Sequence, residues 1–240
     1  MTPVIQTIKQ HRSIRQFTEQ AIEAEMLDAI ITSGIAASSS SLLQAVSIIR
    51  VSDSDKRTKL AELAGNQAYV ASAAEFLVFC IDFQRHHQFN SEVQSDFTEL
   101  TLIGAIDAGI MAQNCLLAAE SLGLGGVYIG GLRNAPQQVD ELLGLPQHCA
   151  ILFGLCLGHP AQDPELKPRL SPQVLVHQDS YQSLDKASVA RYDQAMREYY
   201  QARSSNTKQQ GWSEQVGAKL SKETRPFMRA YLNGKGLAKR

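Results

Sequence analysis

Gly123-Leu-Gly-Gly-Val-Tyr-Ile-Gly-Gly131 is the stretch on which the fold turns. Its glycine density invites comparison with a dinucleotide-binding fingerprint, which needs a strand, a glycine turn and then a helix. Here the order differs. The glycines bracket a β-branched strand, Val127 to Ile129, and a long helical pattern precedes them. A Rossmann phosphate turn is therefore set aside. Gly130-Gly131 instead suits a place where backbone N–H groups come close to a flat ligand.

Working outward, Asp96 to Leu122 reads as the longest helix, apolar on most faces and hence buried in a core or against another subunit. Its small residues (Gly104, Ala105, Ala108, Gly109, Ala112) suggest packing against a second copy of itself, an isologous dimer contact. Ala150 to Gly158 reads as a buried strand, and Glu75 to Asp82 as a strand apolar enough to be central. Ala45 to Ser52 is a third candidate. Helices are expected at Val4–Gln10, with Thr2 as cap and Pro3 at the first position, and at Ile22–Ala36, Ser54–Ala64, Lys186–Arg203 and Ser213–Leu232. Arg85-His86-His87 reads as a solvated turn, without the partners a metal site needs.

Composition narrows the class. The 240 residues are 44% hydrophobic and 20% charged with net charge −1, which points to a globular protein and away from nucleic acid or an anionic membrane. The four cysteines lack metal or redox spacing and read as buried free thiols. No signal peptide is read before the first helix and no apolar run is read as long enough to span a bilayer, so a cytoplasmic protein is expected.

Two further stretches carry chemistry. His11-Arg12-Ser13-Ile14-Arg15 gathers cations and a hydroxyl within five residues. Such a cluster receives a phosphate through charge-assisted hydrogen bonds of roughly 1.5–3 kcal/mol each, although taken alone it reads as an ordinary solvated loop. In an extended segment, His11, Ser13 and Arg15 point one way, Arg12 and Ile14 the other. Ser38 to Ser41 is either a polar loop or a row of hydroxyls facing a ligand. Lys167-Pro168-Arg169 is a stiffened pair of cations. One anion with a flat aromatic body would use all of these features. No nucleophile elbow, P-loop or H-E-x-x-H is present, so a cofactor is expected to carry the chemistry.

H-R-S-I-R-x-F, the serine run, G-N-Q-A-Y (Gly65 to Tyr69), A-A-E-S-L-G-L-G-G-V-Y-I-G-G-L-R-N (Ala118 to Asn134) and L-G-H-P…L-K-P-R-L (Leu157 to Leu170) together resemble the FMN-dependent nitroreductase family. The resemblance covers essentially the full length. It lies in the subgroup of oxygen-insensitive nitroreductases and NADPH-specific flavin reductases of luminous bacteria, closer to the latter. It implies an α+β fold with a mostly antiparallel central sheet flanked by helices, in an intertwined homodimer. Residues 1–240 would be one FMN-binding domain, with 175–240 as an extension wrapping the partner subunit. His11, Ser13, Lys167 and Arg169 would hold the FMN phosphate, Arg12 would support that loop, and Arg15 would sit by the pyrimidine edge. Gln67 and Tyr69 would touch the ring or ribityl chain, Ser39 would reach the other subunit's flavin, and Tyr128, Ile129, Gly130 and Gly131 would lie along one ring face.

The implied reaction is ping-pong. Hydride passes from NADPH to bound FMN, NADP leaves, and free FMN takes the electrons; no side chain is nominated as catalytic. Arg203 and Lys208 match residues used for the NADPH 2′-phosphate, with Arg225 and Arg133 as further candidates. The alternatives are a nitroreductase acting on nitroaromatics, quinones or chromate, and a carrier delivering reduced flavin to a monooxygenase. A non-enzymatic dimeric scaffold is the fourth reading. Leu42 stands where the enteric nitroreductases carry Phe, which weighs against a nitroaromatic preference.

Overall fold

The computed structural model describes residues 1–203 and 207–240. In chain order the elements are α1 (Pro3–Lys9), α2 (Ala24–Ile35), β1 (Val46–Arg50), α3 (Ser54–Leu63), α4 (Tyr69–Ser72), β2 (Glu75–Asp82), α5 (Gln84–Phe89) and α6 (Thr98–Ser121). There follow β3 (Gly125–Ile129), α7 (Pro136–Leu143), β4 (Cys149–Gly158), α8 (Pro172–Leu175), α9 (Lys186–Ala202), α10 (Trp212–Leu220) and α11 (Met228–Gly234). Residues 1–164 and 225–240 form one compact unit, and residues 165–224 a second.

The first unit is built on a four-stranded sheet in the order β1-β2-β4-β3, antiparallel at every pairing. This α+β architecture has the antiparallel sheet expected. The central strands β2 and β4 are apolar on both faces because both faces are covered. Phe76, Val78 and Cys80 enter one core with Leu60, Val70 and Ile129. Leu77 and Phe79 enter the other with Ala108, Ala112 and Leu116 of α6. Fully burying a side chain of this size stabilises by about 1.5–3 kcal/mol.

The small residues of α6 turn inward more than outward. Gly104, Ala108 and Ala112 are buried within the chain's own fold. A Cβ on Gly104 would lie 2.5 Å from Ile81, and one on Gly34 of α2 would lie 2.3 Å from Cys115 Sγ. The stripe read as a self-association face is thus used first for close packing on β2 and α2. Leu102, Ala105, Ile106, Gly109 and Ile110 face outward. By length and composition α6 is long and apolar enough to cross a bilayer, a test that the core helix of a globular protein also passes.

Other expectations are corrected. The Thr2 hydroxyl makes no cap bond, although Pro3 opens α1. Arg85-His86-His87 forms α5, whose side chains are tied down: His86 to the Leu43 carbonyl, His87 to Ser95. The helix expected over Ser213–Leu232 breaks into α10 and α11, with Pro226 in the interruption. Residues 225–240 also bond within the chain that carries them. Tyr231 donates to Asp140 at 2.7 Å, Lys235 pairs with Asp140 at 2.8 Å, and Arg240 pairs with Asp96 at 3.0 Å. All four cysteines are buried and free, and burial pushes the Cys115 thiol up to about 11.

Candidate functional site

The basic stretch is extended and laid against the edge of β3. Ser13 pairs with Gly126, the Ile14 amide donates to the Gly126 carbonyl at 3.0 Å, and Phe17 pairs with Pro160 beyond β4. Gly125 permits this approach, because a Cβ there would stand 2.5 Å from Ile14 Cγ1. The alternation is as expected. Arg12 and Ile14 line one cleft of about 220 Å³ to which His11, Ser13 and Arg15 do not contribute. On that side Arg12 is ion-paired with Asp163. His11 Nδ1 lies 2.5 Å from Glu120 Oε1 on α6, which leaves Nε2 as the nitrogen for a ligand. Arg15 is exposed, with a 3.5 Å contact to the Ser13 carbonyl. Glu120 and Asp163 were missed in the sequence, since a single carboxylate far along the chain carries no local signal.

At the other end of β3, Gly130–Asn134 forms a 3₁₀ turn. The two ends, Gly126 and Gly130, are four residues apart, about 14 Å along a strand. A Cβ on Gly131 would stand 2.3 Å from the Ala64 carbonyl and 2.4 Å from Gln67 Nε2, so only glycine fits. Gln67 donates to that same carbonyl at 2.5 Å and accepts from the Tyr69 hydroxyl. Tyr128 projects outward, with its hydroxyl 3.3 Å from Gln113 and its ring edge-on to Phe153; burial pushes its phenol up. The Ile129 side chain is fully buried, so this residue offers a ligand its backbone alone. Arg133 donates to the Leu152 carbonyl, and Arg225 donates to Asn134 Oδ1 at 2.8 and 3.1 Å. Desolvation, and then the neighbouring Arg225, lower the Arg133 guanidinium from its ordinary value.

The serine run is a strained turn. Ser41, Leu42 and Gln44 have φ of 48°, 55° and 52°. Each such non-glycine residue costs on the order of 1–2 kcal/mol. Ser39 Oγ donates to Asp107 Oδ2 at 2.6 Å and accepts from the Gln44 amide at 2.8 Å, and Asp107 also accepts from the Ser40 amide.

Lys167, Arg169, Arg203 and Lys208 belong to the second unit. There, Tyr199 and Tyr200 at the end of α9 collect three of these cations. Lys167 Nζ lies 5.6 Å and Lys208 Nζ 5.2 Å from the Tyr200 ring centre, and the Arg203 guanidinium 5.7 Å from that of Tyr199. Such contacts contribute about 0.5–1 kcal/mol each when exposed, and they fix where the charge sits. Arg169 turns back on the Lys167 carbonyl at 2.8 Å. The tyrosine pair was missed by reading the cations alone; two adjacent aromatics in the last turn of a polar helix were the available signal. Ser204, Ser205 and Asn206, the middle of the loop expected to clamp a phosphate, lie outside the described residues.

A hydroxyl, an imidazole and an exposed guanidinium thus stand at one end of β3 and closely approached backbone at the other, a donor set that could hold a phosphate-bearing planar ligand. A family model described as the nitroreductase family matches residues 8–159, and one for the C-terminal domain of that family matches 167–240. The chain is 64% identical to the NADPH-flavin oxidoreductase of Vibrio harveyi and 50% identical to the oxygen-insensitive NADPH nitroreductase of Salmonella typhimurium, covering 100% of both chains in each case. A solved structure of the Vibrio harveyi NADPH:FMN oxidoreductase complexed with NAD+ superposes with a TM-score of 0.95 at 62% identity, again over 100% of each chain.

Proposed function

The chain belongs to the nitroreductase family, and from that premise we propose that it is an NADPH-dependent flavin reductase. The observation that carries this reading is the extended basic segment bonded to Gly126 on the same strand that ends at Gly130-Gly131. When bound, FMN supplies a ring that accepts hydride from NADPH and passes two electrons to free FMN. The chain's own residues bind and orient. Ser13, His11 through Nε2, Lys167 and Arg169 hold the phosphate, and Arg12, anchored on Asp163, stiffens the segment between them. Arg15 faces the pyrimidine edge, where a fixed cation stabilises the charge that reduction adds. Gln67 and Tyr69, oriented by their mutual hydrogen bond, meet the ribityl chain or ring. The backbone of Tyr128–Gly131 lies along one ring face.

Arg203 and Lys208 receive the 2′-phosphate of NADPH, with Arg225 and Arg133 as further candidates for the same anionic substrate. The enzyme acts as a cytoplasmic homodimer in which the outward face of α6 is covered, Ser39 reaches the partner's flavin, and the extension of residues 175–240 wraps the partner subunit. Both units then act as one FMN-binding domain. The test is a visible spectrum of the purified protein followed by anaerobic titration with NADPH and NADH. A flavin band bleached efficiently by NADPH and poorly by NADH supports the reading. A protein that neither carries nor takes up FMN overturns it.

A further inference from the structure

Helix α5 stands outside the site described, yet its side chains donate almost entirely to one target. Arg85 Nη1 donates to the Gln44 carbonyl at 3.0 Å, and its Nη2 reaches the Val46 carbonyl at 3.3 Å and Ser47 Oγ at 2.8 Å. His86 Nε2 donates to the Leu43 carbonyl at 2.8 Å. Asp82 holds Arg85 from below at 3.4 Å, and its amide takes the Ala45 carbonyl at 3.0 Å. Every residue from Leu43 to Ser47 therefore has a group bonded from α5, the end of β2, or the strand pairing of β1 with β2. On the opposite side Asp107 holds Ser39 and Ser40. Between these anchors lie Ser41 and Leu42, both left-handed, with Leu42 74% exposed over a cleft of about 460 Å³ lined by Leu43, Gln44, Arg85, His86 and Phe89. Left-handed non-glycine residues persist only where surrounding bonds over-determine them.

We propose that Arg85 and His86 are positioning residues that hold Leu42 in this left-handed turn and thereby set how the electron acceptor is seated. The inference rests on the flavin reductase reading, in which the Ser39 turn flanks the flavin. NADPH and then the acceptor would meet the one ring face that Tyr128–Gly131 leave open. Free FMN and a nitroaromatic differ in size, so the ratio of their KM values reports how the turn seats an acceptor.

The test uses the FMN-loaded enzyme and the variants R85A, R85K, H86A and H86Q, compared by rapid-mixing reduction with NADPH, by KM for free FMN and for a nitroaromatic acceptor, and by amide exchange over residues 39–46. In R85A and H86A, exchange of that segment is expected to rise roughly tenfold, the factor for one lost hydrogen bond. The ratio of the two acceptor KM values is expected to shift several-fold, with FMN content as in wild type. H86Q, which keeps an N–H donor for the Leu43 carbonyl, is expected to restore wild-type exchange, and R85K, with one donor, to fall between. Unchanged exchange, or faster exchange with an unchanged KM ratio, overturns the proposal. A wild-type protein that NADPH fails to reduce overturns instead the reading on which it rests.

Discussion

Arg203 and Gly131 show how differently one residue acts through charge and through shape. Arg203 lies over the Tyr199 ring, and in the proposed reading its guanidinium meets an anion. Replacing it by alanine is expected to raise KM for NADPH by roughly tenfold or more, the value of a charge-assisted hydrogen bond, while KM for NADH changes little. Steady-state kinetics with both donors check this, and equal effects remove the assignment. G131A acts by volume, because its methyl group would meet the Ala64 carbonyl, which has no flexible end to move aside. A loss of about 1–3 kcal/mol is expected by denaturant melting, with weaker FMN retention. At this scale the sequence showed the cations and glycines but not their partners. Glu120, Asp163 and Asp107 lie dozens of residues from the groups they hold, and proximity created only by folding leaves no mark on the chain.

Among elements, legibility followed burial. β2 was readable to the residue, since a strand covered on both faces must be apolar throughout, and α6 was readable within two residues at either end. α5 was not: five polar residues and Phe89 make a short helix whose stability comes from tertiary hydrogen bonds, with no apolar stripe to show it. The inward use of α6's glycines was equally hidden, because small residues serve a strand and a second helix equally well. What α6 leaves outside is Leu102, Ile106 and Ile110, with exposures of 54%, 59% and 40%. If that face is the dimer contact, I106E buries a charge without a partner, and sedimentation is expected to move toward the 26.4 kDa monomer mass. An unchanged dimer places the interface elsewhere.

At the scale of the molecule, the sequence set aside a Rossmann phosphate turn and, through resemblance, indicated an antiparallel sheet; the strand order and the return of the chain to its first unit required the fold. Ser95 lies 3.0 Å from His87 Nε2 and 3.0 Å from His148 Nδ1, where the C-terminal segment closes over the sheet. Desolvation first, then His87, Lys239 and Lys235, lower the His148 imidazole from its ordinary value. The folded state thus favours neutral His148, and the unfolded chain binds the extra proton below a pH of about 6.5. Stability is expected to be full above that value and to fall as the medium is acidified below it. Urea melts at neutral and acidic pH check this, and H148N, which tolerates the left-handed backbone at φ 61°, is expected to flatten the slope. The return of residues 225–240 has a kinetic meaning as well. The second unit is threaded into the sequence of the first, so a chain emerging from the ribosome exposes the unclosed flank of β4 and α7 throughout synthesis of residues 165–224. The flank stays open until α11 has emerged, and that interval is expected to be when a chaperone has most to hold.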